Sequence, residues 1–357
     1  MSTVDLDRVT VRSGRTSRLS EVSMAIDDGA LVAVVGASGS GKTTLLRAVA
    51  GLDRIDQGTL RLDGRDVTRA PPGERDVGMV FQTPALIGHL SARRNVSFPL
   101  DVRRMATDEI RRRVDAEARA LHIEQLMHRE PATLSAGEQQ MVQIARALVR
   151  VPNVLLLDEP FALLDEQLRA RMRAEFAVLQ SGYQVTTLMS TNDSADVEAL
   201  AGVVAVLEGG LLVQYGETAV VRRSPVNLLA AVTTGPLSLI EMTVVAAQQG
   251  FWLQREDPAG GELVMIRAWS PALAGHVGTK VTVGLRPEDV EISERGTIPA
   301  TVQSTAQFGD GGLACLVAGV RVGAAFPAGW RPDVGSSIRL RVHHHVLFDR
   351  SDDRRIA

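Results

Sequence analysis

Apolar residues fall along this chain in two rhythms, and the change between them divides it. From residue 4 to 35, Val9, Val11, Leu19, Val22, Met24 and Ile26 alternate loosely with polar neighbours, which predicts short strands. "ALVAVVG" (30–36) is apolar without interruption, the pattern of a strand buried on both faces of a sheet. "GKTTLLRAVAGL" (41–52) then sets Leu45, Leu46, Val49 and Ala50 at helical spacing. Strand, glycine loop and helix together make a βα unit. Residues 101–150 read as mostly helical, with Thr107 expected to cap a helix carrying Ile110, Val114, Ala118 and Leu121. A second α/β stretch runs from "NVLLLDEP" (153–160) to "QVTTLMST" (184–191), and "TTGPLS" (233–238) reads as a linker. Beyond about residue 239, short Val-rich runs such as "VTVGLRPEDVEIS" (281–293), "LACLVAGVRVGAAF" (313–326) and "SIRLRVHHHVLF" (337–348) predict a small all-β domain, sandwich or barrel.

Composition narrows the classes. A length of 357 residues suits two domains. The 45% hydrophobic and 23% charged fractions are those of a soluble globular protein. A formal net charge of −3 speaks against a nucleic-acid partner, and a lone cysteine, Cys315, excludes an intramolecular disulfide. No run approaches the roughly 18 apolar residues of a spanning helix, and "MSTVDLDRVTVRSG" lacks the features of a signal peptide. The expectation is a cytosolic protein that reaches a membrane only through partners. Of 39 basic residues, Lys42 and Lys280 alone are lysine, so position 42 is expected to need a compact ammonium.

"GASGSGKTT" (36–44) satisfies G-x-x-x-x-G-K-[ST] between a strand and a helix, the context a phosphate loop requires. Gly36, Gly39 and Gly41 let backbone N–H groups turn inward, Ser38 and Thr44 complete the cradle, and the helix N-terminus favours anions. Lys42 is expected at the β and γ phosphates of ATP, and Thr43 on Mg²⁺. "VLLLDEP" (154–160) carries Asp158 and Glu159 to the end of an apolar strand. Such a pair alone is a solvated strand end; beside a phosphate loop it predicts Asp158 as a metal ligand and Glu159 as general base. In "VHHHV" (342–346) no Cys or acidic pattern accompanies the histidines, so they read as a solvated strand with His343 and His345 on one face.

With "LSAGEQQ" (134–140) these motifs resemble the signature set of ABC-type ATPases. Ser135 and Glu138 also form an S-x-x-E capping box, which makes that helix start an anion-binding surface in its own right. "VFQTPALIGHLSARRNVSFPL" (80–100) is similar to the family's glutamine loop and "ALLD" (162–165) to its D-loop. The resemblance implies a head-to-tail dimer in which Ser135, Gly137 and Asp165 act across to the partner's nucleotide. Lys42, Asp158 and Glu159 then act within the chain, and Gln82 touches metal or water. "LDEQLRARMRAEF" (164–176), "GLLVQYGE" (210–217), "SPVNLLAAVTTG" (224–235) and "VGLRPEDV" (283–290) resemble carbohydrate-importer ATPase subunits of the maltose and glycerol-phosphate type. That implies an α/β P-loop NTPase domain over 1–235, with a helical subdomain at about 83–150, and a β-rich OB-like regulatory domain over 236–357. It further implies a second ATPase subunit (a homodimer more than a heterodimer), two transmembrane permease subunits, indirectly an extracytoplasmic solute-binding protein, and a peripheral place on the cytoplasmic face of the plasma membrane.

Four positions depart from that pattern. Ser13 stands where an aromatic stacks on adenine, Ala136 replaces a glycine, Glu138 replaces a glutamine, and Asn192 replaces the histidine expected at the γ-phosphate. Asparagine donates and accepts hydrogen bonds but carries no positive charge and relays no proton. Losing a donor from a catalytic site costs about 2.7–4 kcal/mol of transition-state stabilisation. Three functions therefore stay open: an importer ATPase for a sugar or related polar solute, a nucleotide-gated regulatory subunit with weak hydrolysis, and a soluble ABC ATPase outside transport.

Overall fold

The computed structural model describes residues 3–256, 263–308, 311–317, 320–326 and 332–356. Contacts divide the chain into two compact units, Met1–Val221 and Arg222–Ala357. The segment 222–235, expected at the end of the first domain, thus sits in the second unit.

In the first unit, an antiparallel sheet joins β1 (Val4–Ser13), β2 (Thr16–Ile26), β4 (Gln57–Leu62) and β5 (Arg65–Asp66) in the order β2-β1-β4-β5. A second sheet joins β3 (Leu31–Val35), β6 (Val77–Val80), β7 (Val154–Asp158), β8 (Thr186–Ser190), β9 (Val203–Glu208) and β10 (Leu211–Glu217) in the order β10-β9-β3-β8-β7-β6. Every pairing in it is parallel except that of β9 with β10. β3, β7 and β8 are buried at every position; β3, and β7 up to Asp158, accordingly read as apolar runs, whereas β8 buries Thr186, Thr187 and Ser190 along with Leu188 and Met189. Helix α1 (Lys42–Ala50) follows β3 and sends Leu45, Leu46 and Val49 into a core shared with Val32, Leu156 and Leu188. α1 stops at its cap Gly51, whose left-handed backbone (φ 79°) turns its N–H back to the Ala48 carbonyl, and the buried Arg75 donates to the Ala48 and Val49 carbonyls at 2.7 and 3.0 Å.

Helices α2 (Ala92–Val102), α3 (Thr107–Ala120) and α4 (Ala136–Leu148) form the helical part. Helicity begins nine residues before the expected start at 101, because Ser91 caps α2 by accepting from the Arg94 N–H. The helix runs through Pro99 and ends within the next turn. Thr107 is not the cap of α3. Ala106 occupies that position without a side-chain bond, and Asp108 and Glu109 in the first turn supply the negative charge that a helix start favours. Helices α5 (Glu166–Tyr183) and α6 (Ser194–Leu200) complete this unit, and α7 (Thr218–Arg223) runs past its last residue, Val221. No helix among the described residues is long and apolar enough to cross a membrane.

The second unit opens with α8 (Leu228–Thr233). β11 (Ser238–Ala246), β12 (Phe251–Arg255), β13 (Val264–Ala268), β14 (Lys280–Leu285) and β20 (Val346–Asp349) make a sheet in the order β13-β12-β11-β14-β20. β15 (Val290–Ile292), β16 (Ile298–Phe308), β17 (Gly311–Val317), β18 (Arg321–Phe326) and β19 (Ser337–Val342) close a barrel. Five strands is the number of an OB fold. Residues 318 and 319 of the expected "LACLVAGVRVGAAF" run lie outside the described residues.

The "LRPED" stretch explains itself here. The buried Arg286 guanidinium donates to the carbonyls of Arg222, Ala231 and Pro236 at 3.0, 3.2 and 3.4 Å and to the Thr234 hydroxyl at 3.3 Å. Glu288 takes the Arg222 guanidinium at 2.6 Å. The motif clamps α8, whose Ala231 is buried with Val346 and Phe348. The three histidines are not in a strand: β19 stops at Val342 and β20 starts at Val346. His343 pairs with Glu291 at 2.8 Å, and burial beside His344 pushes His345 down to about 4.

Candidate active site

β3 ends at Val35, and the loop from Gly36 to α1 is shaped by what no side chain tolerates. A Cβ on Gly36, at φ 151°, would lie 2.1 Å from the Leu207 carbonyl, and one on Gly41, at φ 108°, 2.8 Å from that of Arg18. The backbone can therefore turn its N–H groups inward only with glycine at these positions. Gly41 caps α1 without a side-chain bond, so the first-turn N–H groups keep no internal acceptor. The Lys42 ammonium folds back onto the carbonyls of Gly36 and Ala37 at 2.8 and 3.2 Å. Burial holds its pKa below the ordinary lysine value, while the nearby charges of Glu159 and Asp158 act the other way. The Ser40 hydroxyl is buried and has no hydrogen-bond partner. A cation short of anionic ligands, free N–H groups and an orphaned hydroxyl fit a polyphosphate. Gly39 takes φ 79°, Ser38 and Thr43 are exposed, and Thr44 is half-buried.

Facing the loop, Asp158 ends β7 with its Oδ1 accepting from the hydroxyls of Thr43 at 3.1 Å and Ser190 at 2.6 Å. Ser190 Oγ also accepts the Glu159 N–H at 3.0 Å, so one serine at the end of β8 sets both acidic residues. Glu159 has φ 46°, a left-handed backbone that swings its side chain out of the strand direction. Its carboxylate is held on both oxygens: Gln82 donates to Oε2 at 2.9 Å and Asn192 to Oε1 at 2.5 Å. Gln82 thus uses its nitrogen on Glu159 and keeps its oxygen free. Thr43, Asp158 and Gln82 make an all-oxygen donor set, which suits a hard cation such as Mg²⁺.

The signature helix α4 reaches this centre indirectly. Its Gln143 donates to the Phe81 carbonyl and accepts the Ala85 N–H, both at 2.7 Å, bracketing the loop that carries Gln82. Ser135 and Glu138 complete the capping box, Ser135 Oγ accepting from Glu138 N and Glu138 Oε2 from Ser135 N. Those bonds, with Arg129 at 3.1 Å, hold the Glu138 carboxyl below its usual pKa and pair the added charge. Asp165 caps α5 by accepting from the Leu168 N–H. Ser135, Ala136 and Asp165 are exposed, whereas Gly137 is buried, where a Cβ would lie 2.9 Å from Leu164. Ser13 is exposed at the end of the β1–β2 hairpin, paired with Thr16. A cleft of about 440 Å³ opens beside Glu159, lined by Asn192, Arg169, Ser194 and Phe161.

Comparison with known proteins agrees with this geometry. Residues 19–162 match the family model described as ABC transporter. The chain is 34% identical over 348 residues to an sn-glycerol-3-phosphate import ATP-binding protein of Salmonella typhi, covering 96% of each. It is 36% identical to the Chromobacterium violaceum protein of the same description, covering 95% of this chain and 91% of that one. Against a spermidine/putrescine import ATP-binding protein of Nitratidesulfovibrio vulgaris the identity is 38%, over 81% and 77%. The chain belongs to the ATP-binding subunits of ABC importers. Among solved structures, the ATP-binding cassette MJ0796, a dimer in a post-hydrolysis state bound to ADP and Pi, superposes on 60% of this importer ATPase and 98% of its own length. The TM-score is 0.56 and the identity 28%.

Six of the residues singled out in the importer ATPase's sequence converge: Lys42, Thr43, Gln82, Asp158, Glu159 and Asn192. Ser190, Gln143 and Arg169 escaped notice. The first closes the "TTLMS" run of β8, and only the register of β7 with β8 sets it against Asp158.

Proposed function

We propose that this chain hydrolyses ATP in a head-to-tail dimer and so drives a separate permease that imports a sugar, sugar phosphate or similar polar solute. The observation that carries the proposal is the Glu159 carboxylate, fixed by Gln82 and Asn192 beside the loop of Lys42. In this reading the phosphates of ATP enter the P-loop and draw the Lys42 ammonium off the Gly36 and Ala37 carbonyls. Thr43, Asp158 and Gln82 would hold Mg²⁺, which would supply charge neutralisation on the phosphates. Glu159 accepts a proton from the water as its oxygen bonds to the γ-phosphorus and the bond from that phosphorus to the β–γ bridging oxygen breaks, releasing ADP and phosphate. Ser135 and Asp165, exposed at helix starts, serve the nucleotide of the second subunit; the dimeric MJ0796 cassette supports that arrangement. A homodimer suits a chain that carries both halves of such a site. A cleft of about 670 Å³ at α2 and α3, with Phe98 43% exposed beside Arg93, Arg94 and Arg111, suits the permease. The ATPase is then peripheral to the cytoplasmic face of the membrane, and the solute-binding protein acts only through the permease.

Asn192 favours a second reading, a nucleotide-gated subunit with slow turnover, because its amide is spent on Glu159. Steady-state ATP turnover of the full chain against Glu159→Gln and Asn192→His separates the two. Turnover that vanishes in Glu159→Gln supports the enzyme, and a large gain in Asn192→His assigns the rate to position 192. Wild-type turnover equal to that of Glu159→Gln sinks the hydrolytic reading.

A further inference from the structure

We infer that Arg169 is a positioning residue for Glu159, tying the turn that ends at Asp165 to the loop that carries Asn192. The inference rests on Glu159 being the general base of ATP hydrolysis.

Arg169 lies one turn into α5, and its guanidinium is spread over three acceptors. Nε donates to the Phe161 carbonyl at 3.2 Å, Nη2 to the Leu164 carbonyl at 3.1 Å, and Nη1 to Asp193 Oδ2 at 3.2 Å. The two carbonyls bound the turn between Glu159 and Asp165. The carboxylate follows Asn192 directly in the chain. Asp193 Oδ1 caps α6 by taking the Ala195 N–H, and its own N–H donates to Thr191 Oγ1 at 3.0 Å. Thr191 in turn donates to the buried Asp196 at 2.6 Å. Asn192 is therefore gripped from both neighbours when it donates to Glu159 Oε1. On the far side, Leu164 packs where Gly137 has no side chain, so the turn also touches the start of α4.

Charge balance separates this role from simple ion pairing. Arg173 holds the same Asp193 oxygen at 2.9 Å and Asp196 at 2.7 Å. Without Arg169, Asp193 would still have Arg173, and the exposed Glu166, 3.7 Å from Arg169, would keep Arg173 at 3.8 Å; what no other residue replaces is the connection to the Phe161 and Leu164 carbonyls. Lysine keeps the charge but cannot hold three acceptors in the fork geometry of a guanidinium. Catalytic rates fall by about a hundredfold for misplacements near 1 Å, so a loosened connection reads out in kcat.

Arg169→Lys in the full chain should lower kcat for ATP by about ten- to a hundredfold, with KM and the affinity for a fluorescent ATP analogue within about twofold of wild type, because Arg169 makes none of the contacts around Lys42. If Arg169 acts through Asn192, adding Arg169→Lys to Asn192→Ala should cost nothing further, whereas independent effects would multiply. Asp193→Asn carries the same test should Arg169→Lys fail to fold, since asparagine also caps α6; it too should lower kcat alone and add nothing to Asn192→Ala. A kcat within twofold of wild type in the folded variant, or multiplicative losses in the double variant, overturns the inference. Glu159→Gln turning over like wild type would instead remove the base it rests on.

Discussion

Replacing Glu117 with glutamine should stabilise the protein at pH 8 and do progressively less as the pH falls. Glu117 is 3% exposed on α3. Its Oε2 accepts from the Tyr183 hydroxyl at 3.2 Å, and its Oε1 has no partner. Burial raises its pKa from 4.5 to about 7, against a smaller opposing effect of the Tyr183 bond. A carboxyl whose pKa is higher in the fold binds its proton more tightly there. Stability is then full below pH 4.5, declines as the pH rises to about 7, and is flat above. The difference of about 2.5 pH units, at 1.36 kcal/mol each, corresponds to about 3 kcal/mol. About 2 kcal/mol of that develops between pH 5.5 and 8.5, roughly 4–8 °C in midpoint for a unit of this size. Glutamine keeps an acceptor for Tyr183 and has no proton to lose. Thermal unfolding of both proteins by circular dichroism should show the variant's advantage widening over that pH range. A gap that stays constant from pH 5.5 to 8.5 would refute the assignment of a neutral carboxyl to this site.

Gly36→Ala should lower the free energy of unfolding in urea by about 3 kcal/mol, since the methyl would meet the Leu207 carbonyl at 2.1 Å in a disfavoured backbone; an unchanged urea midpoint would mean that the loop can move aside. Arg286→Met keeps the apolar stem but withdraws the buried donor shared by four acceptors, costing about 3 kcal/mol, and should speed proteolysis within 222–236. Equal digestion rates would show that α8 holds without the clamp. Ser13→Tyr should tighten ATP binding about fivefold or more by calorimetry, an aromatic stack being worth ~1–3 kcal/mol; equal affinity would remove position 13 from contact with adenine.

How far the sequence could be read follows from where each element finds its partners. β3 and β7 are buried at every position within the parallel sheet, so their apolar composition alone betrays them. The phosphate loop is equally local: its glycines and Lys42 meet within a few residues. Departures arise where distant residues decide. Ser91, not Thr107, makes the first effective cap of the helical part, because a cap depends on backbone angles that composition does not fix. The histidines leave the strand because β20 pairs with β14, a partner about sixty residues away. Gly137 lies under Leu164, and Glu138 finds Arg129, contacts that no spacing rule announces. Asn192 was visible as a substitution, but its hydrogen bond to Glu159 needed β7 and β8 side by side.

The parallel pairing of β3 also sets an order of events during synthesis. Leu31 pairs with Thr187 and Val35 with Val206, while the strands of the antiparallel sheet meet within the first sixty-six residues. A nascent chain can therefore complete that outer sheet early yet must wait for more than half its length before β3 gains both neighbours. The serine that sets the carboxylates arrives with residue 190, but the glycine loop has no Leu207 carbonyl to lie against until the chain passes that residue. Nucleotide can act as a ligand for folding only after that point, so a ribosome stall before residue 206 would leave a sheet without a site.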